Sequence, residues 1–157
     1  MRHDFRKRSI LVFLYASAAL WLGILPTSAQ NNRSWVSGVG DDTNPCTRTL
    51  PCKTFAGALA KTYGGGEINA LDAGGFGNSI GALTISKSIT IQAVGVTAGV
   101  LASSTDAIVV SAGPSDVVNL VGLDLNGLGP FGPPGIDGIR ITGGGLVHIH
   151  NCTIREF

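Results

Sequence analysis

The chain of 157 residues carries 13% charged residues, 6% aromatic residues and a net charge of +1. A charged fraction about half of the usual quarter argues against a coiled coil and against a disordered polyampholyte. The low net charge provides no basic stripe, so we expect no nucleic-acid partner. The 23 glycines follow no G-X-Y period, which excludes collagen. The remaining apolar content is sufficient for one core and one domain.

Residues 1–29 have the three regions of a signal peptide. Basic residues within 1–8 precede an apolar run over 9–25, and small residues follow Pro26 up to Ala29. An uncleaved membrane anchor is the alternative, because the apolar run approaches the ~18 residues that cross a bilayer. Pro26 and the small residues favour cleavage after Ala29. The remaining chain would have a net charge of −2, and we expect it to be secreted or periplasmic without membrane contact.

Residues 30–66 are predicted to form an N-terminal cap segment with a short helix. Thr54 is a suitable N-cap, and Gly64-Gly65-Gly66 is predicted to end the helix. The apolar residues of this helix recur at i, i+4 and i+8, at Phe55, Leu59 and Tyr63. An amphipathic helix here would cover the open end of a solenoid, as terminal units require.

The cysteines agree with an oxidising compartment. Cys46 and Cys52 flank Pro51 and can close a short loop as a disulfide. A zinc site would need two further Cys or His ligands nearby, and the sequence has none there, so no metal is predicted. Cys152 is left over and is interpreted as a small buried hydrophobe rather than a reactive thiol.

An internal repeat is the strongest signal in the sequence. The segments SITIQA, VVNLVG and LVHIHN, at 88–93, 117–122 and 146–151, place equivalent apolar residues 29 positions apart. Each segment alternates apolar with other residues, as a strand with one buried face does. A second strand precedes each, at 83–85, 107–110 and 138–141, and a third strand at 123–125 aligns with 152–154. Repeated strands without intervening helices predict a solenoid.

These segments resemble the right-handed parallel β-helix proteins of the pectin lyase-like superfamily. The matching sequences are GDDTNPCTRTLPCKTFAGAL (40–59), GGGEINALDAGGFG (64–77), SITIQAVG (88–95), DVVNLVGLDLNG (116–127) and GIRITGGGLVHIHNCTIREF (138–157). We therefore expect an all-β fold, a right-handed parallel β-helix of about four coils over 67–157, with the short capping helix before it. The superfamily includes lyases, hydrolases, epimerases and non-enzymatic adhesins, so the resemblance specifies architecture better than activity.

The outward positions of the 29-residue strands are the first candidate ligand site. They are Thr90, Gln92, Asn119, Val121, His148 and His150. In the enzymes that the chain resembles, the corresponding wall is where a polysaccharide lies. The alternative is an ordinary solvated strand face, because alternation alone produces polar outward positions.

Catalytic residues are weakly indicated. Glycoside hydrolysis needs two carboxylates, and none of the six outward positions is Asp or Glu. Calcium is expected only if the chain is a lyase, which would need several carboxylates on one ion and a base. Asp124 and Asp137, with Arg140 as the base, are the nearest candidates in sequence. No other cofactor is predicted.

Three further features complete the predictions. His148 and His150 share a strand face but lack an evident third metal ligand, so solvated imidazoles are preferred. Phe131, in the loop 127–138, either points outward, where it could stack on a sugar, or packs on the column. No cap is evident after the last strand, so we expect either a short or truncated member of that superfamily or self-association through the C-terminal coil. We expect an exported, non-catalytic protein that binds or scaffolds on carbohydrate or a cell surface. The alternative is a polysaccharide lyase or hydrolase whose active-site coils are degenerate or missing.

Overall fold

The computed structural model describes residues 30–77 and 81–157. The predicted signal peptide lies outside these residues. In the described part of the chain, no helix is long and apolar enough to cross a membrane.

Short parallel strands wind around one axis and stack into a β-solenoid of about four turns. In chain order the elements are β1 (Asn31–Val36), α1 (Phe55–Lys61), β2 (Thr62–Ala70), β3 (Gly74–Gly75), β4 (Leu83–Ile85), β5 (Ile89–Gln92), β6 (Ala98–Leu101), β7 (Ile108–Ser111), β8 (Val117–Val121), β9 (Leu123–Asn126), β10 (Ile139–Gly143), β11 (Leu146–His150) and β12 (Thr153–Arg155). The first sheet has the order β1-β2-β5-β8-β11, the second β3-β6-β9-β12 and the third β4-β7-β10.

The register of the first sheet confirms the 29-residue repeat. Ile89 pairs with Val118, and Val118 pairs with Val147. The variable spacing in the third sheet is also confirmed, because Leu83, Ile108 and Ile139 are partners. A parallel register that keeps equivalent residues above one another allows each coil to bury its apolar face on the next.

Inward side chains of the middle coils form a continuous core. Ile91 and Leu120 of the first sheet and Val110 of the third are fully buried. Phe55 of α1 is also fully buried, and its ring lies 5.3 Å from that of Phe76. The helix therefore covers the N-terminal end of the column, as predicted.

The capping helix is shorter than the sequence predicted. Thr54 is its N-cap and accepts a hydrogen bond from the backbone N–H of Gly57, as expected, but the helix ends at Lys61. Tyr63 and Gly64-Gly65-Gly66 belong to β2 instead, so the prediction that these glycines stop the helix was wrong. The reason is strand pairing, since Thr62 already pairs with Asn31 of β1 and overrides local helix propensity.

The cap segment is fastened by polar contacts and one covalent bond. Cys46 and Cys52 form the disulfide that their spacing suggested. Asp42 accepts hydrogen bonds from the backbone N–H groups of Lys53 and Thr54, at 2.8 Å and 2.9 Å, just before the helix. This segment also contributes β1 to the first sheet, which the sequence analysis did not anticipate.

A carboxylate stabilises one corner of the solenoid. Asp116 accepts hydrogen bonds from the Ser88 hydroxyl at 2.6 Å and from the backbone N–H of Gly113 at 2.7 Å. The Ser88 side chain first, and then the Gly113 N–H, lower the pKa of Asp116 below its ordinary value. The corner therefore depends on an ionised carboxylate.

Candidate functional site

The outer face of the first sheet carries two parallel columns of side chains, which we call the outer wall. One column, in register from coil to coil, consists of Arg33, Glu67, Thr90, Asn119 and His148. The other column consists of Trp35, Asn69, Gln92, Val121 and His150. Five strands at the usual spacing of about 4.8 Å make this wall roughly 19 Å long. The six predicted outward positions thus lie together, on one surface.

A hydrogen-bond ladder connects the N-terminal part of the outer wall. Gln92 Nε2 donates to Asn69 Oδ1 at 2.8 Å, and Asn69 Nδ2 donates to Glu67 Oε1 at 2.7 Å. Arg33 Nε lies 3.0 Å from the same Glu67 oxygen. These contacts hold amide and charged groups in fixed orientations on a sheet whose backbone is already paired.

The C-terminal part of the outer wall has a second set of polar groups. Asn119 Nδ2 donates to Thr90 Oγ1 at 3.0 Å. The imidazoles of His148 and His150 lie nearly parallel, at an angle of 20° and a centroid distance of 5.9 Å. Val121 lies between Gln92 and His150 in their column, so one apolar side chain separates the amide from the imidazole.

Trp35 is the aromatic residue of the outer wall. It is half-buried on β1, directly beside Asn69 in the register. Its neighbours along the strand, Ser34 and Val36, are buried on the inner face, which fixes the indole on the outer face. An apolar ring face next to oriented amides is the kind of surface that matches the C–H face and hydroxyl edge of a sugar.

Four members of the outer wall were missed by the sequence analysis, namely Arg33, Trp35, Glu67 and Asn69. The first coils break the 29-residue period, because Ile68 and Ile91 are only 23 positions apart while they pair in the sheet. The alternation of Gly66, Ile68 and Ala70 with Glu67 and Asn69 was a usable signal for β2. No comparable apolar alternation marks β1, where the buried residues are Ser34 and Val36.

The predicted catalytic residues are not brought together as one site. Asp124 on β9 forms a two-bond ion pair with Arg155, at 2.6 Å and 3.1 Å. Arg140 on β10 forms an ion pair with the buried Asp106 instead. Asp137 is exposed in the loop before β10. Asp124 and Arg140 therefore belong to different sheets and to separate ion pairs, and both contacts join successive coils.

Phe131 lies away from the outer wall. It is 86% exposed, in a 3-10 helix (Gly129–Phe131) of the loop 127–138. Of the two predicted orientations, the outward one is correct. This loop joins the second sheet to the third, at the one corner that does not adjoin the first sheet. Phe131 therefore cannot contact the same small ligand as the wall residues.

Two shallow grooves lie outside the wall. The groove beside the loop 127–138 has a volume of about 340 Å³ and is lined by glycines, serine, threonine, Leu101 and Leu128, without an ionisable side chain. The other, of about 410 Å³ beside α1, contains Lys87. Lys87 Nζ donates to the Leu59 and Thr62 carbonyls, and burial lowers the pKa of its amine. The ammonium group of Lys87, the one charged group that lines this groove, therefore holds the C-terminal end of α1.

In the described residues of one chain, no group of three or more His, Cys, Asp or Glu side chains is placed to hold a metal ion. Cys152 is half-buried and packs against the core, and its thiol lies 3.5 Å from the Leu120 carbonyl oxygen. No protein-family model, curated protein or solved structure matches this chain.

Proposed function

We propose that this protein is an exported, non-catalytic β-solenoid that binds a glycan along its outer wall. The observation that carries the proposal is the column of Trp35, Asn69 and Gln92, in which an aromatic ring stands in register with two hydrogen-bonded amides. Amides both donate and accept hydrogen bonds, so each can bind a hydroxyl in either sense. A sheet fixes their spacing before the ligand arrives, which lowers the entropic cost of binding.

The ligand is a neutral glycan. The arginine and the carboxylate of the outer wall, Arg33 and Glu67, form an ion pair at 3.0 Å and compensate each other's charge. The ten side chains of the outer wall include no lysine and no second arginine. An acidic polysaccharide would therefore find no unpaired lysine or arginine side chain among these ten residues.

The lack of a catalytic pair on the wall supports binding without turnover. Hydrolysis of a glycosidic bond uses two carboxyl groups about 5–9.5 Å apart. Glu67 is the single carboxylate among the ten side chains of the outer wall, and its ion pair with Arg33 ties it into the ladder. A degenerate lyase or hydrolase remains the alternative, and its test is product release.

The proposal also covers export of the protein and the superfamily to which it belongs. The basic, apolar and small regions of residues 1–29 support export, and the disulfide between Cys46 and Cys52 suits an oxidising compartment. We further propose that the chain is a member of the pectin lyase-like superfamily. The parallel solenoid with a helical N-terminal cap supports this assignment.

The proposal is tested by retention on immobilised neutral and acidic polysaccharides, followed by titration with the oligosaccharide that is retained. Trp35→Ala and Gln92→Ala are expected to weaken binding at least about tenfold each, since each removes one oriented contact worth roughly 1.4 kcal/mol or more. Phe131→Ala is the matched control, because it removes an exposed aromatic ring at the far corner.

Two results would overturn the proposal. Equal binding by the wild type and both wall variants, with loss in Phe131→Ala, would place the ligand at the corner loop. Release of reducing or unsaturated sugar ends by the wild type, abolished in Asp124→Ala or Arg140→Ala, would establish the enzymatic alternative.

A further inference from the structure

The backbone of Trp35, the aromatic residue of the outer wall, is held by both half-cystines of the disulfide. Its N–H donates to the Cys46 carbonyl at 2.9 Å, and its carbonyl accepts from the Cys52 N–H at 2.9 Å. A residue has one backbone N–H and one backbone carbonyl, so both groups of Trp35 are bonded to the two residues that the S–S bond joins.

These contacts lie on the edge of β1 that faces away from β2. On the edge that faces β2, the Val36 carbonyl accepts from the backbone N–H of Leu71 at 2.9 Å. On the edge that faces the cap segment, the N–H of Ser37 donates to the Cys52 carbonyl at 3.0 Å. The sheet therefore fixes one edge of β1, and the loop closed by the disulfide fixes the edge to which Trp35 is bonded.

The backbone of Cys46 has a conformation that needs an external constraint. Its φ is +61°, in the left-handed region that residues with a Cβ atom adopt rarely. Such residues persist where the surrounding structure over-determines them. The S–S bond to Cys52, six positions further on, is a covalent constraint of this kind. Without this bond Cys46 can relax, and its carbonyl is the acceptor for the N–H of Trp35.

The orientation of the indole on the outer wall follows from this backbone. Trp35 is half-buried, whereas its neighbours Ser34 and Val36 are buried on the inner face of β1. A ring that is oriented before the ligand arrives has less conformational entropy to lose on binding.

We propose that the disulfide between Cys46 and Cys52 positions the indole of Trp35 for the glycan, so that the oxidised protein binds more tightly than the reduced one. The inference rests on the proposed function for its ligand, whereas the mobility of Trp35 is measurable without one. In reduction by a dithiol the S–S bond breaks and both cysteines become thiols. The dithiol supplies the two electrons and two protons and closes into its own disulfide.

Tryptophan fluorescence and hydrogen exchange test the positioning of Trp35 without a ligand. Trp21→Phe leaves Trp35 as the one tryptophan of the full chain. On reduction with dithiothreitol we expect acrylamide to quench its emission more strongly. We also expect its backbone N–H to exchange at least about tenfold faster, because its acceptor is released. The N–H of Ala93, which donates to the Val121 carbonyl at 2.9 Å between β5 and β8, should keep its rate.

The oligosaccharide that the protein retains tests the consequence for binding. Replacing both Cys46 and Cys52 with alanine should weaken binding about two- to tenfold, because the indole must then be ordered by the ligand. In a Trp35→Ala background the same two replacements should have no further effect, since the ring that they position is absent. Cys152→Ala is the matched control and should leave affinity and quenching unchanged, and circular dichroism verifies that each variant is folded.

Three results would overturn the proposal. The first is equal quenching and exchange in the oxidised and reduced protein. The second is exchange that accelerates equally at Ala93, because the disulfide would then hold the whole sheet rather than Trp35. The third is a loss of affinity that adds to that of Trp35→Ala. If no glycan is retained, the proposed function fails, and quenching still decides whether the disulfide holds Trp35.

Discussion

The ion pair between Arg140 and Asp106 provides a quantitative test of how the coils are held together. Asp106 is only 4% exposed, and its Oδ2 atom contacts Arg140, whereas its Oδ1 atom has no hydrogen-bond partner in the described residues. Arg140 is 53% exposed. Arg140→Met keeps the aliphatic stem but leaves the buried carboxylate without its cation.

The structure sets the size of this effect. Removing one partner of a fully buried ion pair costs about 3–5 kcal/mol. Because Arg140 is half exposed, solvent already screens part of its attraction, and we expect a loss of about 2–3 kcal/mol. Asp106→Ala removes the buried charge itself and should cost only about 1 kcal/mol.

Urea unfolding followed by circular dichroism measures these free energies. In the double variant no buried charge is left without its cation, so its stability should match that of Asp106→Ala. The coupling energy then equals the cost of Arg140→Met alone, about 2–3 kcal/mol. A loss below about 0.5 kcal/mol for Arg140→Met, or additive effects in the double variant, would refute this reasoning.

The other predictions concern a glycine at a turn, the dependence of stability on pH, and the disulfide. Gly122→Ala should lower the free energy of unfolding in urea by about 1–3 kcal/mol more than Gly95→Ala does. Both glycines have a positive φ, but only at Gly122 would a Cβ atom overlap a neighbouring group, the Ala93 carbonyl. The depressed pKa of Asp116 means that its contribution to stability is present above about pH 4 and is lost as pH falls through the folded-state pKa. Asp116→Asn should therefore flatten the acid limb of a Tm-against-pH profile, and an unchanged limb would contradict this. Reduction of the disulfide, which joins residues six apart, should lower the unfolding free energy by about 2 kcal/mol, and no change on reduction would contradict the entropic argument.

The solenoid was predictable because its signal is local and repeated. Equivalent apolar residues such as Ile91 and Leu120 recur 29 apart, and burial on one face demands that alternation. The helix end was not predictable, because the pairing of Thr62 with Asn31 is a contact between distant segments. Propensity carries no information about such a partner.

The candidate site was only partly predictable for the same reason. The C-terminal half of the outer wall follows the repeat, so Thr90, Asn119 and His148 could be aligned from sequence. Trp35 could not be aligned in this way, because its strand β1 has few apolar residues and its pairing with β2 does not follow the 29-residue repeat. The pairing of Arg140 with Asp106 could not be predicted either, because the sequence does not indicate which carboxylate of the loops becomes buried.

The most direct test of glycan binding on the outer wall is an NMR titration that follows the side-chain amides. Asn69, Gln92 and Asn119 each present an NH₂ group on the wall, and these resonances report contact without a substitution. With the neutral glycan that the protein retains, we predict shifts in these three amides and none in the backbone of the loop 127–138. Shifts confined to that loop, with the three amides unmoved, would contradict the proposed binding surface.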